Sequence, residues 1–219
     1  MQEFSLEHPI SLGDKVYRIR CVMDVEALFD ELVSRSAKHP DVADERIPYW
    51  AELWPSAVGL SNWIVANRSL FEAKTVLEIG CGLGLPGIVA ADHSTRVRMT
   101  DYMPEPLEWA SANWRLNRSD EPDVHLLDWR SADSTYASDI LLASDVAYER
   151  RMFEPLMRAL QNLLLPGGFA VIAEPNRRLA KEFVNGFVAG GFSHEFTIIN
   201  VTWLDLEYRI GIHVLRKTK

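Results

Sequence analysis

Four glycines fall in one short run, VLEIGCGLGLPG, at positions 80, 82, 84 and 87, behind a strand-like apolar segment and ahead of a helical one. Positions without side chains let a ligand approach the backbone, and a helix start offers it N–H groups. Two chemistries fit the spacing. Gly82, Gly84 and Gly87 satisfy G-x-G-x-x-G, the dinucleotide fingerprint, while Glu78 with Gly80, Gly82 and Gly84 satisfies the E-x-G-x-G-x-G pattern of S-adenosylmethionine sites. Charge separates the two. A Glu78 carboxylate facing the loop repels a pyrophosphate, which carries about two negative charges. S-adenosylmethionine has no phosphate and carries a cationic ammonium and sulfonium, so the same carboxylate attracts it. Glu78 favours the sulfonium cofactor.

Asp101 closes the next apolar run, VRMTDYM, and is suited to accept from both ribose hydroxyls. An acid there serves NAD equally well, so it supports a nucleoside without naming it. Tyr102, its neighbour, joins it as a cofactor-binding candidate. At the end of the third run, LLDWR supplies Asp128, able to accept from an adenine amino group, and Trp129, a flat wall for the adenine or the sulfonium. Each of these residues has a bland alternative as a core or capping residue. The case rests on the constellation: acids at the C-terminal ends of three successive strands, the side where open α/β sheets bind ligands.

The elements that must position these residues follow from periodicity. From Lys74 onward, short apolar runs alternate with helical periods: TVLEI, a helix from about Leu85, VRMT, a helix over 104–117, VHLLD, DILLAS, a helix over about 150–165, FAVIAE and a helix over about 177–189. That alternation predicts a doubly wound, mostly parallel α/β sheet with helices on both faces. Pro166-Gly167-Gly168 reads as a turn between helix and strand, and FTIINVTW with EYRIGIHVL as an antiparallel hairpin at the sheet edge, giving seven strands. Residues 1–49 read as an extension: short strands at Phe4–Leu6 and Val16–Cys21 around a His8–Lys15 turn region, an amphipathic helix through Val25, Phe29 and Leu32, and a polar linker, HPDVADERIP. Residues 50–219 carry the main domain, opened by a helix for which Ser56 is the expected N-cap.

Composition narrows the function classes. With 219 residues, 47% hydrophobic and 25% charged, the chain is an ordinary globular protein, and disorder is excluded as its main theme. Its formal charge of −8 repels phosphate backbones and anionic lipids and favours a basic partner, so neither nucleic acid nor membrane is the expected partner. Cys21 and Cys81 lack spaced companions and the six histidines lack metal spacing, so no metal site is expected. An acidic N-terminus without an apolar run reads as no signal peptide, and a reducing cytoplasm is the expected location.

With these residues in place the chain resembles a class I, seven-strand S-adenosylmethionine-dependent methyltransferase over roughly Trp50–Leu215. Within that superfamily it is most similar to the protein-lysine methyltransferases that include the electron-transfer flavoprotein beta-subunit lysine methyltransferase. The matching features are YWAELWPSAVGLSNWI, the VLEIGCGLGLPGI loop, LDW after the third strand, and an acid-x-x-Tyr motif, Asp145 to Tyr148. The resemblance implies that Trp54 lies against the cofactor. Glu78, Gly80, Gly82 and Gly84 hold its methionine end, Asp101 the ribose, and Asp128 and Trp129 the adenine side, while Ser144 and Asp145 stand where the acceptor arrives. It also implies a protein lysine as acceptor, with Asp145 and Tyr148 positioning the nitrogen once it has lost a proton. An Asn- or Asp-Pro-Pro-aromatic run for flipped bases is missing after the fourth strand, and so is the glutamate-pair hairpin of arginine methylation. A small-molecule methyltransferase with the first 49 residues as a lid is the rival reading, and a non-catalytic cofactor-binding subunit is a third.

Overall fold

The computed structural model describes residues 5–36, 38–44, 46–146, 150–175 and 180–217. Its centre is a seven-stranded sheet. Five strands are mutually parallel: β3 (Thr75–Ile79), β4 (Arg96–Asp101), β5 (Asp123–Leu126), β6 (Ser138–Ser144) and β7 (Leu164–Glu174). The hairpin of β8 (Phe192–Trp203) and β9 (Leu206–Lys217) adds two antiparallel strands, in the order β5-β4-β3-β6-β7-β9-β8. The strand order reverses beside β3, so the crevice outside the ends of β3, β4 and β6 is where such a sheet binds ligands.

The central strands are apolar almost throughout because both faces are covered. One cluster, on the side of α3 (Pro55–Ala66), α4 (Leu85–Ala90) and α5 (Pro104–Asn117), takes Val76, Ile140, Leu142, Val171 and Ile212. The other, under α6 (Phe153–Leu163) and α7 (Ala180–Ala189), takes the alternate residues Leu77, Ile79, Leu141, Ile172 and Leu215. Glu78 shares the α4 side with Val76, a consequence of strand alternation that decides its role below.

The first segment folds as a hairpin of β1 (Ser5–Leu12) and β2 (Lys15–Val22), followed by α1 (Val25–Ser34) and a four-residue α2 (Pro40–Ala43). Both strands are longer than expected: β1 runs through Pro9 and the turn shrinks to Gly13-Asp14, while Phe4 lies outside the described residues. Pro9 is tolerated because β1 has a partner on one side only. The hairpin packs into the same apolar cluster as the sheet through Ile10, Leu12, Tyr17 and Ile19. Two asparagines one helical turn apart on α5 act as a substitute strand for β2. Arg20 N donates to Asn113 Oδ1 at 2.8 Å and Asn113 Nδ2 to Arg20 O at 3.0 Å, with Asn117 doing the same for Arg18 at 2.8 and 2.8 Å.

Three local expectations change. Ser56 is not the N-cap of α3: Trp54 occupies that place and Pro55 the first helical position, where its missing N–H costs nothing, so the Ser56 hydroxyl is carried inside. Helix α6 stops at Leu163, and Pro166-Gly167-Gly168 forms a bulge inside β7 rather than a turn before it, with pairing passing from Leu164 to Phe169. Helix α7 begins at Ala180, its expected start at Arg177 lying outside the described residues.

Candidate functional site

The loop after β3 turns through three left-handed glycines, Gly80, Gly82 and Gly84 (φ +60°, +51° and +81°), before α4 begins. Gly82 N donates to Asp101 Oδ2 and Met103 N to Asp101 Oδ1, both at 3.2 Å, so the acid at the end of β4 ties the glycine loop to the next strand. Asp101 is 6% exposed, and burial raises its pKa to about 6 against the pull of these amides.

Glu78 corrects the sequence reading. Its carboxylate does not line the cavity; it turns under the loop, where Oε2 accepts from Gly87 N at 2.9 Å. It is 0% exposed, and burial raises its pKa to about 8, with the Asp101 charge adding to the rise. Gly87 is a glycine for this contact, since a Cβ there would lie 2.5 Å from Glu78 Oε2. The third glycine of the G-x-G-x-x-G match thus admits a carboxylate, which takes the Gly87 amide, while Pro86 beside it has no N–H to offer.

The site is a cavity of about 330 Å³ outside the ends of β3, β4 and β6. Gly80, Gly82, Gly84, Asp101, Tyr102, Asp128, Trp129, Ser144, Asp145 and Trp54 all line it, so the structure brings together every described candidate except Glu78. Tyr148 lies outside the described residues. Trp129 is both core and wall: it is 7% exposed, packs in the α6 cluster and borders the cavity. Trp54 Nε1 donates to Tyr49 O at 2.6 Å, and its ring meets that of Tyr49 edge to face at 5.8 Å. Asp145 has φ +55°, a left-handed conformation that Asp tolerates better than most residues, and its N–H donates to Ala173 O at 2.9 Å.

Asp128 stands in the cavity wall with its carboxylate also bonded within the chain. It caps the turn over Trp129–Ser131 through Arg130 N at 3.0 Å, and it holds the Arg130 guanidinium at 2.8 Å from each oxygen. The cap and the Arg130 pair fix the direction of this carboxylate at the cavity wall. Arg130, which sequence reasoning passed over, is the hub of this rim. It reaches across to Asp44 at 3.2 Å and lies over the Tyr102 ring, as Arg46 does. These pairs fasten the segment before Tyr49 over the cavity, where Asp44, Ile47 and Trp50 form part of the wall. Glu174 ends β7 buried against His213 at 3.4 Å and is not part of the wall. Among the described residues no group of three or more potential metal ligands occurs, and no helix is long and apolar enough to cross a membrane.

Residues 46–187 match the model of a family described as lysine methyltransferase. Among curated proteins, the chain is 31% identical over 137 residues to the histone-arginine methyltransferase METTL23 of Rattus norvegicus, covering 57% of this chain and 61% of that protein. It is 32% identical over 126 residues to the protein N-lysine methyltransferase METTL21A of Danio rerio, covering 54% and 57%. The aligned part spans between 49% and 62% of the length of the METTL23 relatives. Among solved structures, the N-methyltransferase NodS of Bradyrhizobium japonicum WM9, in complex with S-adenosyl-L-homocysteine, aligns with a TM-score of 0.59 at 17% identity. That alignment covers 89% of this chain and 98% of NodS, a likeness of fold.

Proposed function

The chain belongs to the lysine methyltransferase family, and from that premise we propose that it transfers the methyl group of S-adenosylmethionine to a lysine side chain of another protein. The observation that carries the cofactor is the burial of Glu78 against Gly87 N. With Pro86 lacking an N–H, it leaves the first turn of α4 poor in donors for a pyrophosphate and so argues against a dinucleotide, while the glycine loop and Asp101 keep a nucleoside site open beside it. The residues present fit the group. Asp101 stands at the cavity wall to accept from ribose hydroxyls, Trp129 and Tyr102 offer flat walls for the base, and the left-handed glycines leave backbone for the amino-acid end. The unpartnered Glu78 Oε1 adds a buried negative potential beneath a cationic ligand when that group is ionised.

When bound, S-adenosylmethionine supplies an electrophilic methyl on a cationic sulfur. The chain's own residues have to align a neutral nitrogen with it and exclude water. In this reading Asp145 and Ser144, at the end of β6, position the nitrogen, and Tyr148 joins them through the acid-x-x-Tyr pattern. The strap of Tyr49 to Trp54 lines the cavity with aromatic rings that could border a path for an aliphatic stem. A cytoplasmic site of action belongs to the same reading, supported by two buried free thiols, Cys21 and Cys81.

A second reading has a specific support: the METTL23 relatives, 31% to 33% identical, are named histone-arginine methyltransferases. Arginine is thus the alternative acceptor, although the paired glutamates sought in the sequence are missing. The test has two arms. Calorimetry should show S-adenosylhomocysteine binding and no NAD binding; the reverse overturns the cofactor. Labelled cofactor with whole-cell extract should mark a protein band, with the methyl on a lysine nitrogen by mass spectrometry. Asp145→Asn should lower that turnover on the order of 10²-fold at unchanged cofactor affinity. Label on arginine selects the second reading, label only in metabolites selects a small-molecule enzyme, and cofactor binding without turnover selects a non-catalytic subunit.

A further inference from the structure

The carboxylates around the cavity are engaged with one exception. Asp44 and Asp128 are held by Arg130, Asp101 by the amides of Gly82 and Met103, and Asp145 also has an interaction of its own. Glu52 lines the same wall and is exposed, yet among the described residues its carboxylate makes no hydrogen bond or ion pair. It sits between Trp50 and Trp54 in a strap fixed by the Trp54 indole on the Tyr49 carbonyl. Its negative charge is felt by the Cys21 thiol on β2, so it stands where the hairpin meets the cavity wall. An uncommitted carboxylate there, beside an edge-to-face Tyr49–Trp54 pair, is built to receive a cation on an aliphatic stem.

Which cation follows from the chemistry. In the reading above the reacting nitrogen goes to Asp145 and Ser144 at the end of β6, not to the strap that carries Glu52. An exposed carboxylate at the mouth serves instead a second positive charge carried alongside. We propose that Glu52 is a specificity-determining residue that pairs with a basic residue neighbouring the methylated one in the acceptor protein. The proposal rests on the protein-methyltransferase reading above.

The test separates the two. The full chain, with S-adenosylhomocysteine present, is titrated with fluorescein-labelled oligolysine and oligoglutamate, and anisotropy gives the affinities. Glu52→Gln is compared with Glu121→Gln, which removes the same charge from the exposed loop before β5, at the N-terminal end of the parallel strands, whereas the cavity lies outside their C-terminal ends. Oligolysine should bind the wild type better than oligoglutamate. Glu52→Gln should weaken oligolysine roughly two- to fivefold and Glu52→Arg further, with Glu121→Gln near wild type. Equal affinities in Glu52→Gln and Glu121→Gln overturn the proposal, as does a wild type that does not prefer oligolysine. Thermal unfolding of each variant confirms that it is folded. Because the readout is binding, absence of methyl transfer counts against the enzymatic reading and leaves the Glu52 comparison standing on its own.

Discussion

At the residue scale, the two buried acids of the site carry a pH signature. Glu78 has a folded pKa of about 8 against an ordinary value of 4.5, and Asp101 about 6 against 3.8, burial being the main cause of both. Between its two values each acid holds a proton in the folded chain that the unfolded chain has released. The stability they contribute is therefore highest at the acid end and is lost as pH rises through the window. Asp92 and Asp139 have lowered values and act in the opposite sense, with stability lost only as pH falls below 3.8, and His194 does so only below 6.5. Between pH 6.5 and 8.5 Glu78 dominates, so the melting temperature of the ligand-free chain should fall across that range. Glu78→Gln, which keeps an acceptor for Gly87 N, should flatten the fall; equal slopes by circular dichroism would refute the assignment. Asp101→Ala should weaken S-adenosylhomocysteine binding by about 1.5–3 kcal/mol, ten- to a hundredfold, and unchanged calorimetry would place the ribose contact elsewhere. Asp101 was legible in the sequence because a strand end and its spacing fix where its side chain goes. Glu78 was legible in identity and not in direction, since only the packing of Gly87 against it reveals which way the carboxylate turns. Arg130 was invisible, because its role depends on a segment 86 residues away in sequence that brings Asp44 over it.

At the element scale, most strands and helices after Lys74 could be read from their periods, the central β3 and β6 being nearly all apolar and α5 beginning at a proline, whereas the bulge at Pro166-Gly167-Gly168 imitated a turn. The N-terminal hairpin was harder. Pro9 and the polar residues of β1 hide a strand paired on one side only, and what docks the hairpin is side-chain amide chemistry that no periodicity reports. Asn113 is the centre of that docking. It is fully buried, bonds both backbone groups of Arg20, and also donates to Leu83 O in the glycine loop at 3.0 Å. Asn113→Ala should destabilise the chain by about 2–3 kcal/mol, since it strands buried backbone groups in two elements at once. Asn117→Ala, whose bonds to Arg18 are exposed, should cost about 1 kcal/mol or less. Urea unfolding of the two variants gives the order. If Asn117→Ala proves the more damaging, the hairpin is held chiefly by its apolar face.

At the scale of the whole molecule, the −8 charge and the acid-lined mouth act together on whatever approaches. A net field of that sign draws a basic protein segment from beyond contact distance, and the attraction is screened over about 10 Å at 0.1 M salt. Inside the cavity Asp101 is buried against backbone amides and Asp128 is held by Arg130, so bulk salt acts on the cofactor contacts less than on the exposed approach. The two ligands should therefore part company as ionic strength rises. Raising salt from about 50 to about 500 mM should lower kcat/KM for a basic protein acceptor roughly tenfold, through KM, while the affinity for S-adenosylhomocysteine changes little. A small uncharged acceptor would feel neither the field nor its screening, and its kcat/KM would stay level over the same range. A level profile with a protein acceptor would mean that it docks through apolar contacts instead, and the net charge would then have no part in choosing it.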